Sequence, residues 1–420
     1  MLSNLTKKWW FWWLIAGVIL RLVLMPTTFH PDLWGHSSVA YFFAYEGRIN
    51  IYDHLASLSS THPLVKSMGV GDIFIYPPLT YFTLGIFRLL VRPLANPNFM
   101  PWIWTENPAA LSFPIFHWHL FLFKLPYLFI DVLTAFIFAK LFDEKKEKLA
   151  FILWLFNPLT LYATFMLGQI DILPTFFLIL SLYFIKKKNY PSSLLTLGIG
   201  GAFKTFPLLF IFPAAFVLGR TFKEKVKYLL LGFIPYFLTI APYLTSSAFR
   251  QMVLFSPKQA KMLFMGWNVS GAEVIYPFLI ILTFLYLHSF YAKNKLSIFS
   301  YEALIMFLTF SVTHYHPQWF LWITPFLLVY LIKLNFKFTL LITMMFFTWF
   351  FITLLFEASL SYGLFNPIFP TLSHAASLSD LVNRYTNVFQ LKSIIRSFFA
   401  GGAIFLSYFI FRNSYEDKDI

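Results

Sequence analysis

The chain has 420 residues, of which 59% are hydrophobic and 12% charged, and its formal net charge is +14. A soluble domain carries about 25% charged residues, so this composition excludes a water-soluble fold and indicates a polytopic membrane protein. The basic residues flank apolar runs in small clusters, which is the positive-inside pattern and not a nucleic-acid stripe, and the absence of cysteine excludes a disulfide framework, a thiol nucleophile and a thiolate metal site.

The first segment, MLSNLTKKWWFWWLIAGVILRLVLM, has the charge order of a signal peptide, but no small-residue cleavage site follows its apolar core. It reads as an uncleaved first span. A span needs about 20 apolar residues. Twelve candidates follow: 9–26, 117–140, 149–167, 170–186, 190–203, 205–219, 228–245, 273–292, 297–313, 317–333, 338–357 and 393–412, the fifth and sixth being short and forming a hairpin. The expected fold class is therefore an all-α transmembrane bundle of about twelve spans.

Charge sets the orientation. With the N-terminus in the cytoplasm, Lys7, Lys8, Lys145, Lys146, Lys148, Lys186, Lys187 and Lys188 all fall inside. So do the clusters around Arg220–Lys227, Lys293/Lys295, Lys333/Lys337 and Arg412/Lys418. Both termini are then cytoplasmic. Counting 76–92 as a span would invert every later loop, so it reads as an amphipathic helix in the outer interface. Residues 27–116 become one large external loop, too long to lack structure and therefore expected to carry helices and function. Residues 117–333 are the core region of spans and 338–412 the C-terminal spans.

The polar residues of interest fall on the outer face in this topology. Asp32 stands just beyond the first span, with His30 and His36 beside it. A carboxylate there is costly unless used or paired. Gln169 and Asp171 sit at the turn between spans three and four, Lys204 at the hairpin turn, and His314, His316 and Gln318 at the entry to span ten. The loop 246–272 adds Arg250, Lys258 and Lys261. Plainer readings exist for each. Asp171 suits a helix cap, Lys204 suits snorkelling to the interface, and the loop cations suit anionic headgroups. The two histidines, separated by one residue, do not share a helix face, which makes a metal pair a weak reading. Lys124 and Asp131, seven apart in span two, suit an internal pair. Together the outer-face residues suggest group transfer: a carboxylate acting as base toward a hydroxyl, and lysine or arginine stabilising a phosphate leaving group.

Several stretches carry a family resemblance. Asp32 is followed by Gly47-Arg48-Ile49-Asn50-Ile51-Tyr52-Asp53 and Phe74-Ile75-Tyr76-Pro77-Pro78-Leu79-Thr80-Tyr81, then by FNPLTLYATFMLGQID, GGAFKTFPLLFIFP and HYHPQWFLWITPFLL. In order and spacing they resemble the GT-C class of integral-membrane glycosyltransferases. Within it the likeness is to the mannosyltransferase that adds the first mannose in GPI-anchor assembly, and to its prokaryotic relatives. The resemblance spans residues 10–330. It implies a polyprenyl- or dolichyl-phosphate sugar donor, an acceptor hydroxyl on a glycolipid, glycan or protein, and Asp32 as general base. It also implies a donor site shaped by the helix starting at Tyr76, with Lys204 or the Arg250–Lys261 loop meeting phosphate. One departure stands out: eukaryotic members carry two acidic residues spaced by one, and here His30 takes the first place. No metal cofactor is therefore expected, although a divalent ion is not excluded, and mannose specificity is weakened.

Two other classes compete. A flippase for lipid-linked sugar would show internal repeats and mid-membrane breaks, and no convincing repeat is present. A glycan ligase or polymerase would want several arginines in a late external loop, and residues 358–392 offer Arg384 and Lys392. Trp34, Trp267 and Trp319 suit sugar stacking or interfacial anchoring. The expected membrane is the prokaryotic plasma membrane, or the endoplasmic reticulum in a eukaryote.

Overall fold

A computed structural model describes residues 6–106, 111 and 113–413; Lys418, one of the residues expected on the cytoplasmic side, lies outside them. The chain is 75% helix. Among the described residues the only strands are β1 (Trp267–Asn268) and β2 (Val274–Ile275), an antiparallel pair in the loop expected to carry Arg250, Lys258 and Lys261. Among the described residues four helical stretches are long and apolar enough to cross a bilayer: Pro114–Ala139, Glu144–Met166, Phe222–Tyr243 and Val388–Asn413. Phe11–Thr27 and Asp32–Glu46 reach that length only when taken together, and the pair is bent. Other predicted spans appear as shorter apolar helices.

In chain order the main helices are α1 (Phe11–Thr27), α2 (Asp32–Glu46), α3 (Pro78–Leu90), α4 (Pro114–Ala139) and α5 (Glu144–Leu155). Then come α6 (Ile172–Lys186), α7 (Tyr190–Phe203), α8 (Leu208–Leu218), α9 (Phe222–Ile240) and α10 (Pro277–Tyr291). The last are α11 (Ile298–Val312), α12 (Thr324–Lys333), α13 (Thr339–Leu354) and α14 (Val388–Asn413). Helix α4 packs on α1, α5 and α6, while α7 packs on α6 and α9, and α14 on α11 and α13. The region 27–116 carries helices, as its length required: α2, α3 and short ones at Ile51–Ser57, Pro63–Met68, Val70–Ile73 and Phe99–Glu106.

Proline and asparagine explain the breaks. In the predicted span 149–167, α5 stops at Leu155 because Pro158 has no N–H to donate. Asn157 Oδ1 caps the new start by accepting from Leu159 N at 2.9 Å, and a π-helical turn, Leu161–Met166, follows. The predicted span 317–333 likewise begins as a 3-10 turn, Pro317–Trp322, before α12. Between α1 and α2 the chain turns by 89°. Pro31 disfavours helix at His30, and Thr28 is extended. Lys124 Nζ donates to Thr28 O at 2.5 Å and fixes this corner. Asp32 is the first residue beyond it.

The expected Lys124–Asp131 pair does not form. Seven residues along a helix is about 10 Å of rise, so neighbouring elements supply closer partners. Asp131 Oδ2 accepts from Arg21 Nε of α1 at 2.6 Å, and Oδ1 accepts from Trp154 Nε1 of α5 at 2.9 Å. Arg21 and Asp131 are both fully buried. This cluster joins three helices inside an apolar bundle.

Helices α6 and α12 end at the opposite pole from Asp32, at Lys186 and Lys333. There a cavity of about 740 Å³ is lined by six lysines, 146, 186, 188, 293, 295 and 333. Several close helix ends: Lys146 Nζ donates to Ile332 O at 3.1 Å, Lys186 Nζ to Phe142 O at 3.1 Å, and Lys295 Nζ to Phe216 O at 2.7 Å. Cations there oppose the negative ends of the helix dipoles.

Breaking the buried pair leaves a bare charge. Asp131→Leu should lower stability by about 3–5 kcal/mol, whereas Arg21→Leu/Asp131→Leu together should recover much of that loss. Thermal unfolding in detergent would check it, and equal loss in single and double variants would refute it.

Candidate functional site

Five chain segments meet in a cavity of about 310 Å³ at the α1–α2 corner. Of the expected residues, Asp32, His36, Tyr76, Lys204, Lys258, Lys261, His316 and Gln318 line it. Gln169 and Asp171 stand directly behind: Gln169 Nε2 donates to Asp32 Oδ2 at 2.9 Å, and Asp171 Oδ1 accepts from Lys204 Nζ at 2.8 Å.

Local sequence explains these positions. Gly168 has φ +71°, in the left-handed region, and a side chain there would press on Leu33 and Lys124. Its turn delivers Gln169 to Asp32. At Gly35 of α2 an added Cβ would lie 2.2 Å from Ile73 O, so only glycine lets the Asp72–Tyr76 segment lie against α2. Tyr52 Oη donates to Tyr76 O at 2.7 Å and holds that segment from behind.

Asp171 does occupy the N-cap position of α6, but its side chain makes no capping bond. Oδ1 takes the Lys204 ammonium and, at 2.5 Å, the indole N–H of Trp322. Lys204, the C-cap residue of α7, turns inward instead of snorkelling: its side chain is 11% exposed. Its Nζ lies over the rings of Trp322 at 4.9 Å, Tyr76 at 5.3 Å and Trp319 at 5.4 Å. Trp319 and Trp322 stack at 4.9 Å, and Phe206 stacks on Trp322 at 4.3 Å. The result is an aromatic wall around a neutralised cation.

The remaining charges are distributed unevenly. Lys258 pairs with Asp72. Asp32 has no lysine or arginine partner among the described residues, and 45% of its side chain is open to the cavity. Burial works to raise its carboxyl, but His30, His36, the Gln169 amide and His316 outweigh this, and the net direction is downward. The carboxylate is therefore ionised at neutral pH. Lys261 is the other wall charge without an ion pair among the described residues; its Nζ donates to His316 Nε2 at 2.6 Å. Burial, then the like charges of Lys258 and Lys204, pull Lys261 down to about 8. Burial, then Lys261 and His314, pull His316 down to about 3, so it is a neutral acceptor. His36 is lowered to about 4, chiefly by burial.

Besides Gln169 and Asp171, three expected residues do not line the cavity. His30 is buried behind Asp32, where its Nδ1 accepts from Asp32 N at 3.2 Å and caps the α2 start. Arg250 closes a local turn by donating to Leu244 O at 2.7 Å. His314 packs against Phe264 and His316. Of the tryptophans, Trp319 is on the wall, Trp34 is buried against Phe29 and Phe116, and Trp267 is exposed on β1. Asp72, Phe206 and Trp322 are wall residues that the sequence reading did not single out. Trp322 was signalled by its place four residues after Gln318. Asp72 carried no local signal. Among the described residues no group of three or more His, Asp or Glu is placed to hold a metal ion.

The Lys261 titration makes a pH prediction. The ammonium is charged below about pH 8 and neutral above it. Binding of inorganic phosphate as an anion probe, followed by tryptophan fluorescence, should weaken by about tenfold as pH rises through that value. Lys261→Arg should abolish this limb and Lys261→Met should bind weakly throughout; a flat wild-type profile would refute the assignment. No protein-family profile, curated protein or solved structure matches the chain.

Proposed function

We propose that this protein is a membrane glycosyltransferase that moves a hexose, with mannose the first candidate, from a polyprenyl-phosphate carrier to an acceptor hydroxyl. The carrying observation is the pairing of one open carboxylate, Asp32, with one open cation, Lys261, across a cavity whose other wall charges are neutralised in pairs. Acid–base group transfer with an anionic leaving group needs these two charges.

In this reading the acceptor hydroxyl oxygen attacks the sugar anomeric carbon while its proton passes to an Asp32 oxygen. The bond from that carbon to the phosphate oxygen breaks, and its electrons leave with the polyprenyl phosphate. Lys261 meets the growing phosphate charge. The ionised state of Asp32 suits it to accept the proton, and Gln169 fixes the carboxylate by one oxygen. Trp319, backed by Trp322, offers a flat face for the sugar. A single displacement by one base gives inversion at the anomeric carbon.

The likeness to the GT-C class in motif order supports this reading. So does the division of charge between the poles: six lysines gather at one end, while at the other three lysines stand with Asp32, Asp72 and Asp171. That division fits the predicted twelve-span topology with cytoplasmic termini and an extracytoplasmic cavity.

The test is transfer from radiolabelled polyprenyl-phosphate mannose to a membrane-extract acceptor by purified protein. Asp32→Asn, folded by thermal-melt criteria, should lose about 10²–10⁴-fold in rate. Equal rates in wild type and variant would remove Asp32 from the role of base. Failure of the wild type with mannosyl, glucosyl and arabinosyl donors would overturn the reading.

A further inference from the structure

Helix α3 holds a buried cation outside the cavity. Arg88 is 3% exposed, and none of its three side-chain nitrogens has a hydrogen-bond partner among the described residues. Its guanidinium carbon lies over Phe123 of α4 at 5.0 Å and over Tyr45 of α2 at 5.7 Å. Arg92, one turn on, lies over the other side of the same cluster, 5.0 Å from the Tyr45 centroid. The groups that bear on the Arg88 charge are Tyr45, through its charge and a long side-chain hydrogen bond, and Tyr41, and no carboxylate is among them.

Ring faces attract a guanidinium, and the Tyr45 hydroxyl at its edge can take one N–H at most weakly, so most of its five N–H donors are left unmet. A buried charged donor without an acceptor is among the costlier features a fold can carry. The side chain faces a narrow groove walled by Leu33 and Ala40 of α2, Leu84 and Phe87 of α3, and Leu122 and Pro126 of α4. Its enclosed part is about 20 Å³, room for one water, which accepts two hydrogen bonds and, with Tyr45, still leaves donors over. The groove walls are apolar, and beyond them Phe129 and Leu133, on the same face of α4 as Leu122 and Pro126, are exposed. A soluble anion would have to cross that apolar rim, whereas a membrane lipid brings its own chains to it.

We propose that the α2–α3–α4 groove is a binding site for an anionic phospholipid. Its phosphate oxygens accept from the Arg88 guanidinium, and its chains lie along the apolar rim of α3 and α4. Two phosphate oxygens match the planar donor fork of arginine. His36 lines both this groove and the acid–base cavity, so the lipid sits on the far side of the histidine that flanks Asp32. The site stands without the glycosyltransferase reading.

The test uses the full chain, delipidated in neutral detergent and titrated with phosphatidylglycerol or phosphatidylcholine. Bound lipid is counted by native mass spectrometry. Wild type should retain one equivalent of phosphatidylglycerol with about tenfold preference over phosphatidylcholine, the weight of one charge-assisted contact. Arg88→Gln should lose that preference and Arg88→Lys should keep part of it. Because Arg88 variants can fail to fold, a second measurement uses wild type alone. A headgroup-photoreactive phosphatidylglycerol should cross-link to α3 and α4 peptides, and soluble glycerol phosphate should not protect them. Equal uptake of both lipids, unchanged preference in Arg88→Gln, cross-links elsewhere, or protection by glycerol phosphate would each overturn the proposal.

Discussion

The bond between Lys204 and Asp171, shared with the Trp322 indole, ties together the end of α7, the start of α6 and the turn before α12. No apolar side chain at any of the three positions would do the same work. Inside a bundle this poor in water, each polar group needs a partner from the protein, and its partner fixes where its helix begins or ends. The same constraint acts at Asp131, where Arg21 and Trp154 converge, and at the α1–α2 corner, which Lys124 closes. The cavity is the space these ties leave.

Much of this was legible in the chain because the signals are local. Asn157-Pro158 breaks a helix wherever it occurs, Gly168 reads as a turn, and a 90-residue loop rich in proline and tryptophan had to contain helices. Counting spans and charges led to the expectation that Asp32, Asp171, Lys204, Lys261 and His316 share one face, and these residues come together in space. What the sequence hid was pairing across elements. Lys124 and Asp131 lie on one helix and suggested each other, yet each found a partner more than 20 residues away. Arg21 and Asp72 gave no hint of their roles because their partners are distant in the chain. Arg250 misled because a cation in an external loop can serve a local carbonyl as readily as a ligand.

The charges around the cavity fall into two kinds. Lys204 and Lys258 are neutralised by Asp171 and Asp72, and they act as fixtures that position aromatic rings and loops. Asp32 and Lys261 are left with neutral neighbours, Gln169 and His316. Neutral hydrogen-bond partners orient a charge without cancelling it, and a charge kept uncancelled in a partly desolvated site interacts more strongly with whatever enters. Burial of the surrounding imidazoles sustains this division, since it keeps His36 and His316 uncharged at neutral pH.

Helices α10 and α13 present broad apolar faces outward, through residues such as Leu279, Phe284, Leu287, Leu340, Phe347 and Phe351. They have 15 and 16 residues, so each is only about 22–24 Å long. A bilayer's hydrocarbon region is about 30 Å thick. A short span is met by a thinned bilayer, by flanking side chains that reach out to the interface, or by association with another helix. Where thinning meets it, the headgroup layer dips toward the bundle, closer to the depth of the chain corner that bears Asp32.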